Sequence, residues 1–453
     1  MSVRLIESLA TTEPLADVFS DRSILRAMLD FEVALARAEA ELKIIPQSAA
    51  RAIARAARTE DYDAAALARQ TLRAGTPGIP LVKALRKRVQ QEDADAASSV
   101  HLGATSQDLA DTALVLLLKK VAEIFDADLT RLENALQALV AKHKKTVMLG
   151  RTLLQSAPPL TLGLKAAGWL GSVRRGRARL KNAMSEALVL QLGGASGTLA
   201  ALGSRGVEVG ESVARQLNLV YPDAPWHTHR DRLAAVICAC SILTGSLGKM
   251  ARDISLLMQR EVAEVAEPGD SGRGGSSTMP QKRNPIASAI TLAAASRVPG
   301  LTAAFLSQMV QEHERGIGGW QAEWPTVASV IQATGVALVS MAETAEGLTV
   351  DAARMKGNLN VTQGTGFAEK AALLLSPKIG REAAHELIER ATDPKQLRGR
   401  TLSQLLAEMP DVRQYLGNEA LAHLEDPEDY LGSASEFIRR LSGSAKKSRR
   451  GGK

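Results

Sequence analysis

Between residues 21 and 42 the apolar side chains fall at Ile24, Met28, Phe31, Leu35, Ala38 and Leu42, steps of three and four that line one face of a helix, with Ser20 or Asp21 placed to cap it. Gly75, Pro77, Gly78 and Pro80 then interrupt the pattern, so residues 1–111 read as a small N-terminal helical domain. Thr112 to Lys145 holds neither Gly nor Pro and repeats Leu114, Leu118, Val121, Phe125, Leu129, Leu132, Leu136 and Leu139 at a helical period. This predicts a helix about 50 Å long at ~1.5 Å per residue. Similar stretches at 159–190, 230–264, 285–313 and 325–347, joined by short Gly/Pro-rich segments, make residues 112–350 a central bundle of very long helices. After that the pattern shortens, and 351–441 reads as a C-terminal helical domain. The expected class is all-α, in three helical domains.

Ala287 to Ala304 is small and apolar nearly all round, more apolar face than one bundle can cover, which predicts a homo-oligomer sharing the bundle as its core. Aromatic residues make up only 3% of the chain, a composition that suits helices better than strands. The formal charge of +7 suggests a nucleic-acid partner until its location is read. Lys446, Lys447, Arg449, Arg450 and Lys453 sit in a Gly/Ser-punctuated tail, residues 442–453, and without those five the charge is +2. Such a tail lacks the apolar surface to order itself, so neither a nucleic-acid nor a membrane partner is expected. Cys238 and Cys240 are the only cysteines and lie too close along one apolar helix to pair. With no long apolar leader and no uninterrupted apolar run of membrane length, the expected location is the cytoplasm.

The segment Gly269 to Pro285 crowds Gly, Ser and Pro between two long helices. Exposed backbone N–H groups there, with Lys282 and Asn284 near the start of the next helix, suit a carboxylate or phosphate. It is no nucleotide loop, because the spacing G-x-x-x-x-G-K-[ST] is absent. Trp226-His227-Thr-His229-Arg-Asp231 contains an H-x-H, but no further ligand stands at metal spacing, so no metal site is expected. Trp320 and Trp324, four apart, read as packing residues.

Gly275-Ser-Ser-Thr-Met-Pro-Gln-Lys-Arg-Asn-Pro285 resembles the signature GSSxMPxKxNP of the fumarase/aspartase superfamily. His101-Leu-Gly-Ala-Thr-Ser-Gln-Asp108 and Gly150-Arg-Thr-Leu-Leu-Gln-Ser-Ala-Pro158 resemble its other two motif regions, in the same order. The likeness extends through QLGGASGTLAALGS, PWHTHRDR and QEHERGIGGWQAEW, over residues 15 to 440, and is nearest to the superfamily's bacterial cycloisomerases.

That resemblance implies a cofactor-free addition or elimination next to a carboxylate, in a homotetramer whose sites form where motifs of different subunits meet. A carbanion spreads its charge into the carboxylate, and Lys282, Asn284 and backbone donors would stabilise it. The resemblance makes the loop serine the proton carrier, Ser276 first and Ser277 second. It places Thr105, Ser106, Gln107, Thr152, Gln155, Arg230 and Arg315 among the groups that contact a small polycarboxylate substrate, and arginine suits such capture. His101 is open between handling a substrate carboxylate and a structural role. Lyases of the superfamily commonly carry a histidine two residues before or one after Gln155, where this chain has Leu153 and Ser156. Lactonisation tolerates that loss, because the nucleophile is the substrate's own ionised carboxylate and attack is intramolecular. Adenylosuccinate or argininosuccinate lyase chemistry is the alternative, and an oligomer that has lost catalysis is another.

Overall fold

The computed structural model describes residues 5–269, 274, 275, 278, 279 and 282–443. Helices dominate it, and the only sheets among the described residues are two antiparallel pairs of strands. The early helix α1 spans Asp21–Glu41, and the Ser20 side chain caps it by accepting from Ser23 N. Met28, Phe31, Leu35 and Ala38 on its periodic face are buried, while Ile24 and Leu42 at its ends are half-covered. Gly75, at φ 72°, closes the preceding helix, and α2 (Gly78–Glu92) starts three residues later with Pro80 in its first turn. The Gly/Pro cluster is therefore one stop and one start, as each residue's backbone preference dictates.

The long helices are α3 (Ser106–His143), α4 (Leu162–Ala187), α5 (Asp231–Leu257), α6 (Ile286–Ser307) and α7 (Gly319–Gly347). Every leucine, valine and phenylalanine of the repeat in α3, from Leu114 to Leu139, is buried. By length and composition α5, α6 and α7 are each apolar enough to cross a membrane, which an uninterrupted-run criterion does not reveal. In α5 and α7 that apolar surface is mostly buried, at 61% and 72% of the most apolar window, but in α6 it is 28%. Cys238 and Cys240 are free thiols, and burial pushes the Cys240 thiol up to about 12.

Compactness groups the chain into two units, each from three segments. One comprises Met1–Leu129, Arg175–Gly248 and Ile290–Ser340, the other Thr130–Arg174, Lys249–Ala289 and Met341–Lys453. The grouping follows packing, whereas the three-part reading of the sequence followed chain order. In the second unit short helices beyond Ala368 enclose a core of their own around Leu375, Leu402, Leu406, Val412 and Leu424.

Gly150 to Pro158, expected only as a segment ahead of a helix, is a hairpin. Strand β1 (Val147–Thr152) pairs with β2 (Gln155–Thr161), Thr152 opposite Gln155. Its two-residue turn is Leu153 and Leu154, at φ 50° and 64° and 97% and 81% exposed. Two positive φ angles between paired strands suit Asn-Gly, and leucine strains there.

Candidate active site

In the first unit three sequence-distant motifs converge on Asp108. This residue stands in the first turn of α3, where its carboxylate accepts from Thr105 N at 3.0 Å, a capping contact that fixes the preceding turn. The same carboxylate accepts from Gly193 N at 2.9 Å and Gly194 N at 2.8 Å, and lies 2.7 Å from His227 Nε2. The paired glycines of QLGGASGT are needed for this approach. A Cβ on Gly193 would press on Pro225 and His227, and one on Gly194, at φ 70°, on the Gly103 carbonyl. Asp108 thus ties HLGATSQD to QLGGASGT and to PWHTHRDR.

One turn along α3, Asp111 receives Arg230, whose NH1 and NH2 donate at 2.7 and 3.0 Å. Arg230 Nε donates to both oxygens of Glu323 at 3.0 Å, and NH2 to Oε2 at 2.5 Å. Its guanidinium stacks 4.7 Å from the centre of the Trp226 ring, and Trp320 Nε1 donates to Asp111 at 3.0 Å. All three charged side chains are 0–1% exposed. Burial works to lower the Arg230 pKa, but Asp111 and Glu323 outweigh it and hold the guanidinium above its ordinary range. Burial also raises Glu323, against the opposing pull of Arg230. This corrects two expectations. Arg230, read as a substrate-binding cation, is neutralised twice over and closed to solvent. Gln107, read as a substrate contact, is fully buried and donates to His227 O at 2.8 Å and Asp111 at 3.2 Å.

Arg315 has the opposite situation. Its NH1 donates to Thr105 Oγ1 at 2.8 Å, and its NH2 to the carbonyls of Gly194 at 3.3 Å and Ala195 at 2.9 Å. No ion pair compensates it among the described residues, and it is only half-buried. Ser106 follows Thr105 in sequence, begins α3 and is half-buried. His101 stands five residues earlier, at φ 63°, with Nδ1 2.5 Å from Glu32 Oε1. His229 is exposed, and His227 of the H-x-H is committed to Asp108. Trp320 is buried; with Trp324 it lines a cavity of about 370 Å³ that contains no charged side chain, so it does not compete as a polycarboxylate site. Among the described residues the one cluster of metal-capable side chains is His423, Asp426 and Asp429, all exposed.

In the second unit Thr152 and Gln155 face solvent at the end of the hairpin. Their neighbour Arg151 grips the buried Glu264 with two hydrogen bonds of 3.1 and 2.6 Å, and Asn358 donates to the same carboxylate at 2.7 Å. Ser276 and Ser277 lie outside the described residues. Lys282 is exposed, and Asn284 N donates to Gly274 O at 2.8 Å. The start of α6 is not open to an anion as expected. Glu267 accepts from Ala287 N at 2.9 Å, Ser288 N at 2.8 Å and Ser288 Oγ at 2.6 Å, and so fills that position with a carboxylate of the chain itself. Sequence reasoning passed over Glu32, Asp108, Asp111, Glu264, Glu267 and Glu323; acids set in apolar or motif segments were the available signal.

Residues 7–300 match the family described as Lyase, and residues 364–441 the family described as Adenylosuccinate lyase C-terminus. Over 421 residues the chain is 48% identical to the 3-carboxy-cis,cis-muconate cycloisomerase of Bradyrhizobium diazoefficiens, with 93% of each chain covered. Over 437 residues it is 47% identical to the protein of the same name from Pseudomonas aeruginosa, covering 96% of this chain and 95% of that one. The crystal structure of 3-carboxy-cis,cis-muconate lactonizing enzyme from Pseudomonas putida superposes with a TM-score of 0.91 at 45% identity, covering 97% of this chain and 98% of that one. Likeness of this degree over so much of the chain means common descent, and the chain belongs to the fumarase/aspartase-type lyase family.

Proposed function

We propose that this chain is a cofactor-free cycloisomerase that closes 3-carboxy-cis,cis-muconate to 4-carboxymuconolactone. The substrate's own carboxylate adds across the conjugated double bond, and the carbon α to the activating carboxylate takes up one proton, so no atom is lost. The observation that carries this reading is the identity to cycloisomerases of two bacteria over nearly the whole chain. Leu153 and Ser156 are compatible with it, since lactonisation releases no amine or hydroxide that a histidine there must protonate. Arg315 is the cation on hand for a substrate carboxylate, because Thr105 and two backbone carbonyls orient it without cancelling its charge. Ser276, with Ser277 second, is the proposed proton donor to the α-carbon, with Lys282 and Asn284 stabilising the anion that precedes protonation. Thr152 and Gln155, exposed beside the turn, are proposed to touch substrate.

The bare apolar face of α6 supports self-association, and the proposed state is a homotetramer with shared sites. A monomeric mass by light scattering at micromolar concentration would rule it out. Two free thiols suit a reducing cytoplasm, and the proposed setting is protocatechuate breakdown by the β-ketoadipate route. A second reading, adenylosuccinate-type elimination, is favoured by the match of residues 364–441. The test follows the diene absorbance of 3-carboxy-cis,cis-muconate with purified protein, a Ser276→Ala variant and adenylosuccinate as control. Rapid loss with the first substrate, abolished in the variant, supports cycloisomerisation; cleavage of adenylosuccinate alone supports the second reading.

A further inference from the structure

His101 is the motif histidine left without an assigned task, and its surroundings give it one. Its backbone is in the left-handed region at φ 63°, an uncommon conformation for a residue with a side chain. Arg86 of α2 braces the preceding peptide by donating to Val100 O at 3.2 Å. The ring is 13% exposed and the Glu32 side chain 1%, with Nδ1 and Oε1 2.5 Å apart. Glu32 Oε2 has no partner, so His101 is the one hydrogen-bond partner of this buried carboxylate among the described residues. A buried carboxylate in that position needs a cation or a strong donor, and a histidine with Nδ1 protonated supplies either.

We infer that Glu32 is a positioning residue. Its carboxylate accepts the hydrogen bond of His101 Nδ1–H, fixes the ring's orientation and favours the imidazolium, whose Nε2–H is then the donor presented to a substrate carboxylate. The charged groups that face the pair are Glu32 and Glu39 from α1, Arg86 from α2 and Asp108 from α3, with Tyr62 beside Glu32. Burial works to lower the His101 pKa and Arg86 joins it, but the charge and hydrogen bond of Glu32, with Asp108, outweigh both and raise it. Glu39 is kept protonated, pushed up to about 9 by burial and by the charge of Glu32, so it adds no second anion to the pair. In the proposed imidazolium form His101 serves as an anchor and not as a base, because both ring nitrogens carry protons and no lone pair is left to take one from carbon.

The part played in turnover rests on the cycloisomerase reading, but the coupling of His101 to Glu32 does not, and two measurements separate them. The first labels the seven histidines of the whole protein and assigns His101 by the signal lost in a His101→Gln variant. The expected result is a ring protonated at Nδ1 that titrates at lower pH in Glu32→Gln and close to the wild-type pH in Glu32→Asp. The second follows kcat and KM for 3-carboxy-cis,cis-muconate across pH. Glu32→Gln should lower kcat/KM about ten- to a hundredfold, the worth of one hydrogen bond to a charged group, chiefly through KM, with the alkaline limb moved to lower pH. In the His101→Gln background the same change should cost nothing further. An unmoved His101 titration, or losses that add in the double variant, would overturn the proposal. If Glu32→Gln does not fold, the wild-type tautomer decides: an unprotonated Nδ1 overturns it. Should the muconate not react at all, the titration result stands and only the cycloisomerase reading falls.

Discussion

Replacing Arg230 by methionine tests whether that arginine holds the fold or holds the substrate. The side chain donates five hydrogen bonds to Asp111 and Glu323, both of which are 0–1% exposed, and stacks on Trp226. Methionine fills part of the volume and leaves two carboxylates buried without their cation. Breaking a buried ion pair from one side costs about 3–5 kcal/mol. That is a large share of the ~5–15 kcal/mol by which a folded domain is stable. Loss of Arg230 also removes the pull that opposes burial at Glu323, so its carboxyl rises further above the ordinary range. A carboxyl raised in the folded state contributes its full stability below the unfolded value, and that contribution is lost as pH rises through the folded one. The variant should therefore recover stability as pH falls from 8 to 6. Urea unfolding followed by circular dichroism at both pH values measures this, with steady-state kinetics on the native fraction alongside. A triple variant that adds Asp111→Asn and Glu323→Gln should regain much of the loss. Unchanged stability with a raised KM would refute the reasoning and return Arg230 to the substrate.

Three further outcomes are expected. Leu153→Asn with Leu154→Gly suits the positive φ angles of the turn and should stabilise the protein by about 1–2 kcal/mol, read as a higher Tm. Glu39→Gln should stabilise most near pH 8–9, because the wild-type carboxyl is held at about 9 and its contribution drains away as pH rises from the carboxylate range towards that value; melts from pH 5 to 9 should show the gap narrowing on acidification. Arg315→Lys keeps the charge but loses the fork that spans Thr105 and two carbonyls, and should lower kcat/KM about tenfold or more with little change in Tm, an unchanged kcat/KM counting against its proposed role.

Much of the helical scaffold was legible because a buried helix face imposes its own period on the sequence. The repeat from Leu114 to Leu139 marks the interior of α3, and Gly75 with Pro80 marks one stop and one start. The hairpin was not legible. Its turn is Leu-Leu in place of the Asn-Gly that the backbone prefers, and β2 carries Pro158 and Pro159, so neither the turn nor the strand signal is present. Trp320 was readable as a packing residue, and it does pack, with its N–H on Asp111.

Which charged residues face a substrate and which face one another could not be read along the chain. Arg230 and Arg315 look alike in sequence, each an arginine in a motif that also holds His and an acid, Asp231 in one and Glu312 with Glu314 in the other. Yet Arg230 meets Asp111 from 119 positions away and Glu323 from 93, and is sealed. Arg315 meets a hydroxyl and two carbonyls, and keeps its charge. Glu32 reaches His101 across 69 residues, and Glu267 takes the helix start that an anion seemed free to use. Local pattern by itself determined the helices, the signature loop and the family, because those depend on neighbours a few residues apart. Tertiary structure decided which charges are spent, because a charge is cancelled by whatever lies within a few ångströms, and the fold chooses that partner without regard to separation along the chain.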